Sequence, residues 1–140
     1  MHPLLALVYR SPLFNASESF VQAHAAGLRR YQALVVGLED KGHVRPELRG
    51  RLVLPRSRAE ALALKLFGAA DAMTRRLAPA RPRLLHAHFA TDGLIALPLA
   101  RALGVPLVTT LHGYDVSRSR RAMLGSGRLS GMRYALLRRR

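Results

Sequence analysis

The hydrophobic pattern of the chain alternates between two kinds of segment. Five short, nearly continuous apolar runs predict strands that are buried on both faces, and they lie at residues 4–9, 33–38, 52–54, 84–89 and 105–111. Charged residues, Pro and Gly follow most of these runs and predict turns. The segments between the runs carry helical periodicity instead.

The first predicted helix covers residues 19–30. Ser19 and Gln22 hold the positions of a capping box, so the helix is expected to begin near Ser19. Helical spacing aligns one side of this segment, formed by Phe20, Ala23, His24, Gly27 and Leu28.

Two further helices are predicted in the second half of the chain. Residues 58–77 are rich in Ala and Leu and predict one long helix, in which Gly68 is the only weak position. Residues 93–103 predict a helix that ends at Gly104 and contains Pro98, which is expected to bend it.

Strands that alternate with helices through short connections predict a parallel sheet with helices on both faces. A length of 140 residues fits one such domain, or part of one. The fold class is therefore α/β, a Rossmann-like, doubly wound parallel sheet.

Composition changes this picture only slightly. The formal net charge of +15 would ordinarily indicate a polyanionic partner, but every basic residue except Lys41 and Lys65 is Arg, which indicates a bias along the whole chain. The Arg residues that crowd into residues 118–140 are most simply interpreted as a solvated face. Cysteine is absent, which excludes disulfides and thiolate metal sites and favours the cytoplasm. No apolar run reaches the ~20 residues of a membrane-spanning helix, and the first ten residues lack a signal-peptide pattern.

Polar residues that directly follow the predicted strands are the candidates for chemistry, because ligands of open parallel sheets bind beyond the carboxyl ends of the strands. The loop at residues 11–19 precedes a helix start that could hold a phosphate, although capping by Asn15, Ser17 or Ser19 explains the same residues. His86 and His88 point to the same side of their strand, since side chains alternate. Such a pair suits a metal or a polar ligand, and a buried, hydrogen-bonded His86 is the simpler alternative.

The third candidate group follows the last predicted strand. Gly113 permits a sharp turn and a close approach of the backbone to a ligand, and His112 supplies a hydrogen-bonding group at the crevice. Standing alone, these residues would be an ordinary turn in which Asp115 caps the next element.

The order of these elements and motifs resembles the retaining glycosyltransferases of GT-B fold, especially those of bacterial exopolysaccharide and colanic-acid-type pathways. The matching stretches are SESFV at residues 17–21, HAHFA at 86–90 and PLVTTLHGYDV at 106–116, of which the last is the most specific. The family usually has Thr where this chain has Ser19, which keeps the hydroxyl and with it the expected capping role.

The resemblance implies transfer of a sugar, with retained anomeric configuration, from a nucleotide-sugar donor to a saccharide or lipid-linked acceptor, without a metal or cofactor. It implies that His112 lies near the donor sugar and its departing diphosphate. His88 and Gly113 would contact substrate, and Asp115 would either orient the His112 loop or touch the acceptor. The remaining acceptor-side residues would be Ser17, Glu18 and Ser19.

The resemblance also bears on domain organisation. Residues 1–140 correspond to part of the N-terminal, acceptor-side domain, and the helical pattern that begins at residue 129 breaks off at Arg140 without a capping signal. We therefore expect the donor-binding domain to be absent and the isolated chain to be inactive. The implied location is the cytoplasm, at the inner face of the plasma membrane, where Arg-rich surfaces could contact anionic lipid.

Two other functions fit some of the same residues. A metal-dependent hydrolase could use His86, His88 and His112, although the nearby carboxylates, Asp92 and Asp115, are both predicted in loops rather than in ligand positions. A non-catalytic basic module could bind nucleic acid or anionic membrane. It would lack interleaved aromatic residues and a recognition motif, so no nucleic-acid partner is expected.

Overall fold

The computed structural model describes residues 4–68, 71–117 and 119–125. Within these ranges the strands are β1 Leu4–Tyr9, β2 Tyr31–Val36, β3 Leu52–Val53, β4 Leu84–His88 and β5 Leu107–Thr110. One parallel sheet holds all five, in the order β3-β2-β1-β4-β5. All five predicted strands are confirmed, and β2 begins two residues before its apolar run.

Helices connect the strands and cover the sheet. They are α1 Ser19–Ala26, α2 Pro46–Arg49, α3 Arg58–Phe67, α4 Asp71–Leu77, α5 Ala90–Leu103, α6 Tyr114–Ser117 and α7 Arg120–Leu124, with a 3-10 turn at Ala78–Ala80. The short α2 was not predicted. None of the helices in the described ranges is long and apolar enough to cross a membrane.

Alternate residues of β1 point to two separate cores, one on each face of the sheet. Leu7 and Tyr9 pack with α3, α4 and α5, whereas Val8 packs with α1 and α2. All three side chains are fully buried. Helices on both faces confirm the doubly wound, Rossmann-like α/β fold.

The prediction of one long helix over residues 58–77 is wrong. Gly68 ends α3 in the left-handed region, with φ of 73°, and its N–H caps the carbonyl of Leu64. A Cβ atom there would lie 2.1 Å from the carbonyl oxygen of Ile95, so only glycine fits against α5. Gly68, the weak position of the predicted helix, is thus the residue at which α3 ends, and a second helix, α4, follows it.

The prediction for α1 is correct in position but wrong in detail. The helix ends at Ala26 rather than residue 30, and no side chain caps its start, so the capping roles expected of Ser19 and Gln22 are not realised. Gln22 instead donates to the carbonyl oxygen of His43 and accepts from the N–H of Arg45. The tie to the following loop explains why Gln22 is buried.

Several other predictions change or cannot be compared. Asp92 and Asp115 lie in α5 and α6, not in loops as predicted. The helical pattern from residue 129 and the Arg residues at 118, 128, 133 and 138–140 lie outside the described residues.

Candidate functional site

The strand order reverses between β1 and β4, which marks the crevice where open α/β sheets bind ligands. The chain leaves β1 at Arg10, β4 at Phe89 and β5 just before His112. The predicted convergence of polar residues at this edge is therefore observed.

Four imidazoles meet at the carboxyl ends of β4 and β5, and we refer to His24, His86, His88 and His112 as the histidine cluster. The rings of His86 and His88 stack with centroids 4.7 Å apart, which confirms that both side chains point to one side of β4. His88 stacks on His112 at 5.2 Å. His24 reaches the cluster from α1 and lies edge-on to both β4 rings.

Hydrogen bonds connect three of these rings in a row. His88 Nδ1 lies 3.0 Å from His112 Nε2, and His88 Nε2 lies 3.3 Å from His24 Nδ1. A neutral imidazole has one donor and one acceptor, so one direction of donation must run through the row. The tautomer of His112 is consequently tied to that of His88.

Burial opposes the charged forms of His24, His86 and His88. Burial first, and then the neighbouring imidazoles and Arg10, lower the pKa of His88 from 6.5 to about 3. Burial lowers the pKa of His24, and burial followed by the charges of His24 and His112 lowers that of His86. Neutral imidazoles can donate or accept hydrogen bonds and can bind a metal.

The His112 loop is held by one buried carboxylate. Asp115 accepts the N–H of His112 on one oxygen, at 2.9 Å, and the N–H of Ala90 at the start of α5 on the other. The residue is 2 % exposed. Gly113 adopts φ of 71°, the turn expected of it, with open space around the position of a Cβ atom. Asp115 thus joins the ends of β4 and β5.

Aromatic rings line the crevice beside the cluster. Phe89 has φ of 73°, a strained conformation that costs on the order of 1–3 kcal/mol for a residue other than glycine. Its ring lies 4.5 Å from that of His112 and 6.4 Å from that of Phe20. Phe20 is 43 % exposed and lies 4.7 Å from His112. The side of α1 marked by Phe20 and His24 therefore faces the crevice, while the core holds Val21 and Ala25.

Next to these rings lie three ionic side chains, the partly buried Arg10 and the buried Glu18 and Asp92, which we refer to as the charged cluster. Arg10 pairs with Glu18 through Nη2 at 2.5 Å and with Asp92 through Nη1 at 2.6 Å. Its guanidinium also lies 4.4 Å above the ring of Phe89. Asp92 accepts the N–H of Ser11 as well. One cation thereby connects the loop after β1 with α1 and α5.

Burial and pairing act in opposite directions on these charges. Burial opposes the charge of Arg10, but Asp92 and Glu18 more than offset it and raise the pKa of Arg10. Burial also opposes the charge of Glu18, yet hydrogen bonds from Arg10 and Asn15 lower its pKa overall. For Asp92 burial is stronger than the attraction of Arg10 and raises the pKa to about 6. All three groups are therefore ionised at neutral pH.

A comparison with protein families identifies the family of this chain. Residues 18–140 match the family model of Glycosyltransferase Family 4. The chain belongs to that family. Comparisons with curated proteins and with solved structures gave no match. Membership indicates a glycosyltransferase that acts on a sugar donor and an acceptor, and the five-stranded parallel sheet is consistent with the N-terminal domain of the GT-B type.

In this family member the predicted site residues fall into two groups. His88, His112, Gly113 and Asp115 come together at the ends of β4 and β5. Glu18 is buried in the charged cluster, away from solvent. Ser17 and Ser19 are exposed on either side of it, and neither caps α1. For His86, the simpler of the two interpretations was a buried, hydrogen-bonded side chain. It is confirmed in part, because His86 Nε2 lies 2.7 Å from Thr110 Oγ1.

Sequence reasoning missed three contributors to this site. His24 was noted only as one position along α1, and its spacing of four from Phe20 was the available signal for a shared, crevice-facing side. Arg10 directly follows β1, so its position at a strand end was a second signal. The left-handed backbone of Phe89 has no signal in the sequence.

The residues that could hold a metal also differ from those predicted. Among the described residues, His24, His86 and His88 each offer a ring nitrogen within 4.8 Å of the others. His112 contacts His88 but is not a member of this trio. The predicted set of His86, His88 and His112 thus exchanges one member for a residue of α1.

Proposed function

We propose that this family member is a retaining glycosyltransferase whose residues 1–140 form the acceptor-side domain, with His112 as the residue closest to the reacting atoms. The observation that carries the proposal is the contact of His112 with His88 at the strand-order reversal, on a loop fixed by Asp115. An imidazole held on both sides in this way is preorganised for a ligand in the crevice.

In the proposed reaction the bond between the anomeric carbon and the donor diphosphate breaks, and its electron pair leaves with the diphosphate oxygen. An acceptor hydroxyl oxygen forms the new bond to the anomeric carbon on the same face, and its proton passes to the departing diphosphate. His112 donates a hydrogen bond toward the donor sugar or the diphosphate as negative charge develops there. Stabilisation of such charge by a fixed donor is a major source of rate enhancement.

The other predicted residues take supporting roles in this proposal. Gly113, with the exposed Ser17 and Ser19, contacts the acceptor, and the buried His88 lines the acceptor side of the cleft through its contact with His112. Glu18 acts as a positioning residue, since its carboxylate is occupied by Arg10 and Asn15. Asp115 orients the His112 loop, because its two oxygens hold backbone N–H groups.

We also propose the class of substrates and the place of reaction. The donor is a nucleotide hexose, which is consumed as a substrate, and no cofactor takes part. The acceptor is a saccharide or a lipid-linked saccharide of exopolysaccharide synthesis, and nucleic acid is no partner. Transfer takes place in the cytoplasm at the inner face of the plasma membrane. Sedimentation with vesicles tests the last point, and equal binding to neutral and anionic vesicles would contradict contact with anionic lipid.

A transfer assay tests the proposed reaction. The polypeptide that carries this chain, with any residues encoded beyond Arg140, is incubated with labelled nucleotide hexoses and polyprenyl diphosphate-linked saccharides. We expect transfer with retained configuration, read from the anomeric proton coupling of the product by NMR. His112→Ala should lower kcat about 10²–10³-fold, whereas His43→Ala, at an exposed position outside the crevice, should not change it. An inverted product, or equal rates in both variants, would contradict the proposal.

A further inference from the structure

We propose that His24, His86 and His88 form a binding site for a divalent transition-metal ion of the zinc class, with one coordination position open to the crevice. The three rings come from α1 and from alternate positions of β4, and one nitrogen of each lies within 4.8 Å of the others. Three imidazoles and an open fourth position are a recurrent zinc arrangement.

The spacing of the nitrogens supports this assignment. Zn²⁺ binds imidazole nitrogens at ~2.0–2.1 Å, which places two ligand nitrogens of a tetrahedral site about 3.4 Å apart. His24 Nδ1 and His88 Nε2 are 3.3 Å apart, so this pair already has the required separation. The His86 nitrogen lies within 4.8 Å of these two, so it must approach by up to about 1.4 Å to complete the trio.

The groups around the trio are those that an outer coordination shell uses. A metal-binding imidazole generally donates its other N–H to a nearby acceptor, which fixes the ring. His86 has Thr110 Oγ1 at 2.7 Å from Nε2, which leaves Nδ1 for the metal. His88 has His112 Nε2 at 3.0 Å from Nδ1, which leaves Nε2, the atom that faces His24. Both β4 histidines therefore have a partner for the nitrogen that does not bind.

Carboxylates near the trio partly offset the positive charge of the chain and that of Arg10, whose guanidinium acts against the protonation of His88. The charged cluster holds two carboxylates around one guanidinium, and the Asp115 carboxylate holds the backbone N–H of His112. Arg10 is thus fully paired and the charged cluster has a net negative charge. Charges elsewhere on the surface act less on the trio, because salt screens charges that lie more than ~10 Å away.

Metal binding would act on the proposed reaction site through His88. With its Nε2 bound to the metal, His88 must keep the proton on Nδ1 and donate it to His112 Nε2. The tautomer of His112 would then be fixed with its proton on Nδ1. The metal site itself does not rest on the proposed sugar transfer, which needs no metal, and it is tested by binding alone.

The test is titration of the purified full chain, without a polyhistidine tag, with Zn²⁺ in the presence of a chromophoric chelator. We expect one ion per chain with a micromolar or lower Kd. His24→Ala, His86→Ala and His88→Ala should each weaken binding by more than about 100-fold. His112→Ala should weaken it by about 10- to 100-fold, as an outer-shell change does, and His43→Ala should have no effect.

Three results would overturn the proposal: no binding by the wild-type chain, ligand variants that bind as tightly as wild type, or an equal loss in His43→Ala. Circular dichroism checks that each variant is folded. For any variant that is not, Co²⁺ absorption of the wild-type chain replaces it. Intense visible bands of tetrahedral cobalt, abolished by one equivalent of Zn²⁺, would support the site, and the weak spectrum of octahedral cobalt would contradict it.

Discussion

The histidine cluster and the charged cluster both contact the ring of Phe89, and their bonding differs sharply. In the charged cluster, Arg10 is held by two carboxylates, and those carboxylates also accept backbone N–H groups of the loop after β1. In the histidine cluster the rings bond mainly to one another, and Thr110 is the one other side chain that they contact through a hydrogen bond in the described residues.

This difference separates support from function. The charged cluster ties three segments together, so its loss disturbs the positions of β1, α1 and α5. The rings of the histidine cluster can replace their hydrogen bonds to one another with hydrogen bonds to a ligand, because a neutral imidazole both donates and accepts. We therefore expect substitutions in the first cluster to act mainly on stability and those in the second mainly on binding and catalysis.

The largest effect on stability is expected from Arg10→Met. It leaves two buried carboxylates close together without their cation, and breaking a buried ion pair from one side costs ~3–5 kcal/mol. Urea unfolding at neutral pH measures the change in the free energy of unfolding. The control is Arg75→Met on the exposed side of α4, for which about 0.5 kcal/mol or less is expected. Similar losses in both variants would show that the ion pairs of Arg10 stabilise the fold no more than an exposed arginine does.

An effect of similar size is expected from Asp115→Ala. The substitution leaves the N–H groups of Ala90 and His112 without their acceptor, at ~1–3 kcal/mol each. Asp115→Asn keeps one oxygen and should retain part of this stability. Asp71→Ala, at an exposed position of α4, should cost less than ~1 kcal/mol. If urea unfolding gave the same loss for Asp71→Ala as for Asp115→Ala, the carboxylate would not hold the loop.

The sequence predicts those parts of this edge that depend on periodicity. Continuous apolar runs predict all five strands, and alternation along β4 predicts that His86 and His88 share one side. The carboxyl-end rule then predicts that His112 joins them. The strands and the alternation are local, so a single segment of sequence contains the information needed for each, and the carboxyl-end rule supplies the one step between segments.

Features that depend on contacts between distant segments escaped prediction. The end of α3 at Gly68 is imposed by the close approach of α5, and Gln22 serves the loop near His43 rather than its own helix. Arg10 and Asp92 are 82 positions apart, and no periodicity relates them. The role of Glu18 likewise follows from its partner and not from the motif in which it stands.

Acidification should change the contributions of His88 and Asp92 to the free energy of unfolding in opposite directions. The pKa of His88 is about 3 in the folded protein against 6.5 ordinarily, so between these values the unfolded chain binds more protons. The free energy of unfolding therefore falls as the pH falls. The loss from this group is about 2 kcal/mol at pH 5. The pKa of Asp92 is raised from 3.8 to about 6, so the folded protein binds more protons in that range, and its contribution rises as pH falls.

Urea unfolding at pH 7.5 and pH 5 of wild type, His88→Gln and Asp92→Asn measures these contributions. Relative to wild type, His88→Gln should lose about 2 kcal/mol less on acidification. Asp92→Asn should lose more than wild type, because its favourable term at low pH is removed. Changes of the same sign in both variants would contradict the opposite pKa shifts.

The smallest effect on stability is expected where the proposed effect on catalysis is largest. His112 is half-buried, and its side chain contacts the rings of His88, Phe89 and Phe20 at the edge of the crevice, where water can replace it. His112→Ala should therefore change the free energy of unfolding by at most about 1 kcal/mol. Urea unfolding measures this alongside Arg10→Met. A loss as large as that of Arg10→Met would make His112 a structural residue, and the reduced kcat proposed for its alanine variant would then reflect a damaged fold. A small loss with an intact crevice would leave its imidazole, and not the architecture around it, as the source of any change in rate.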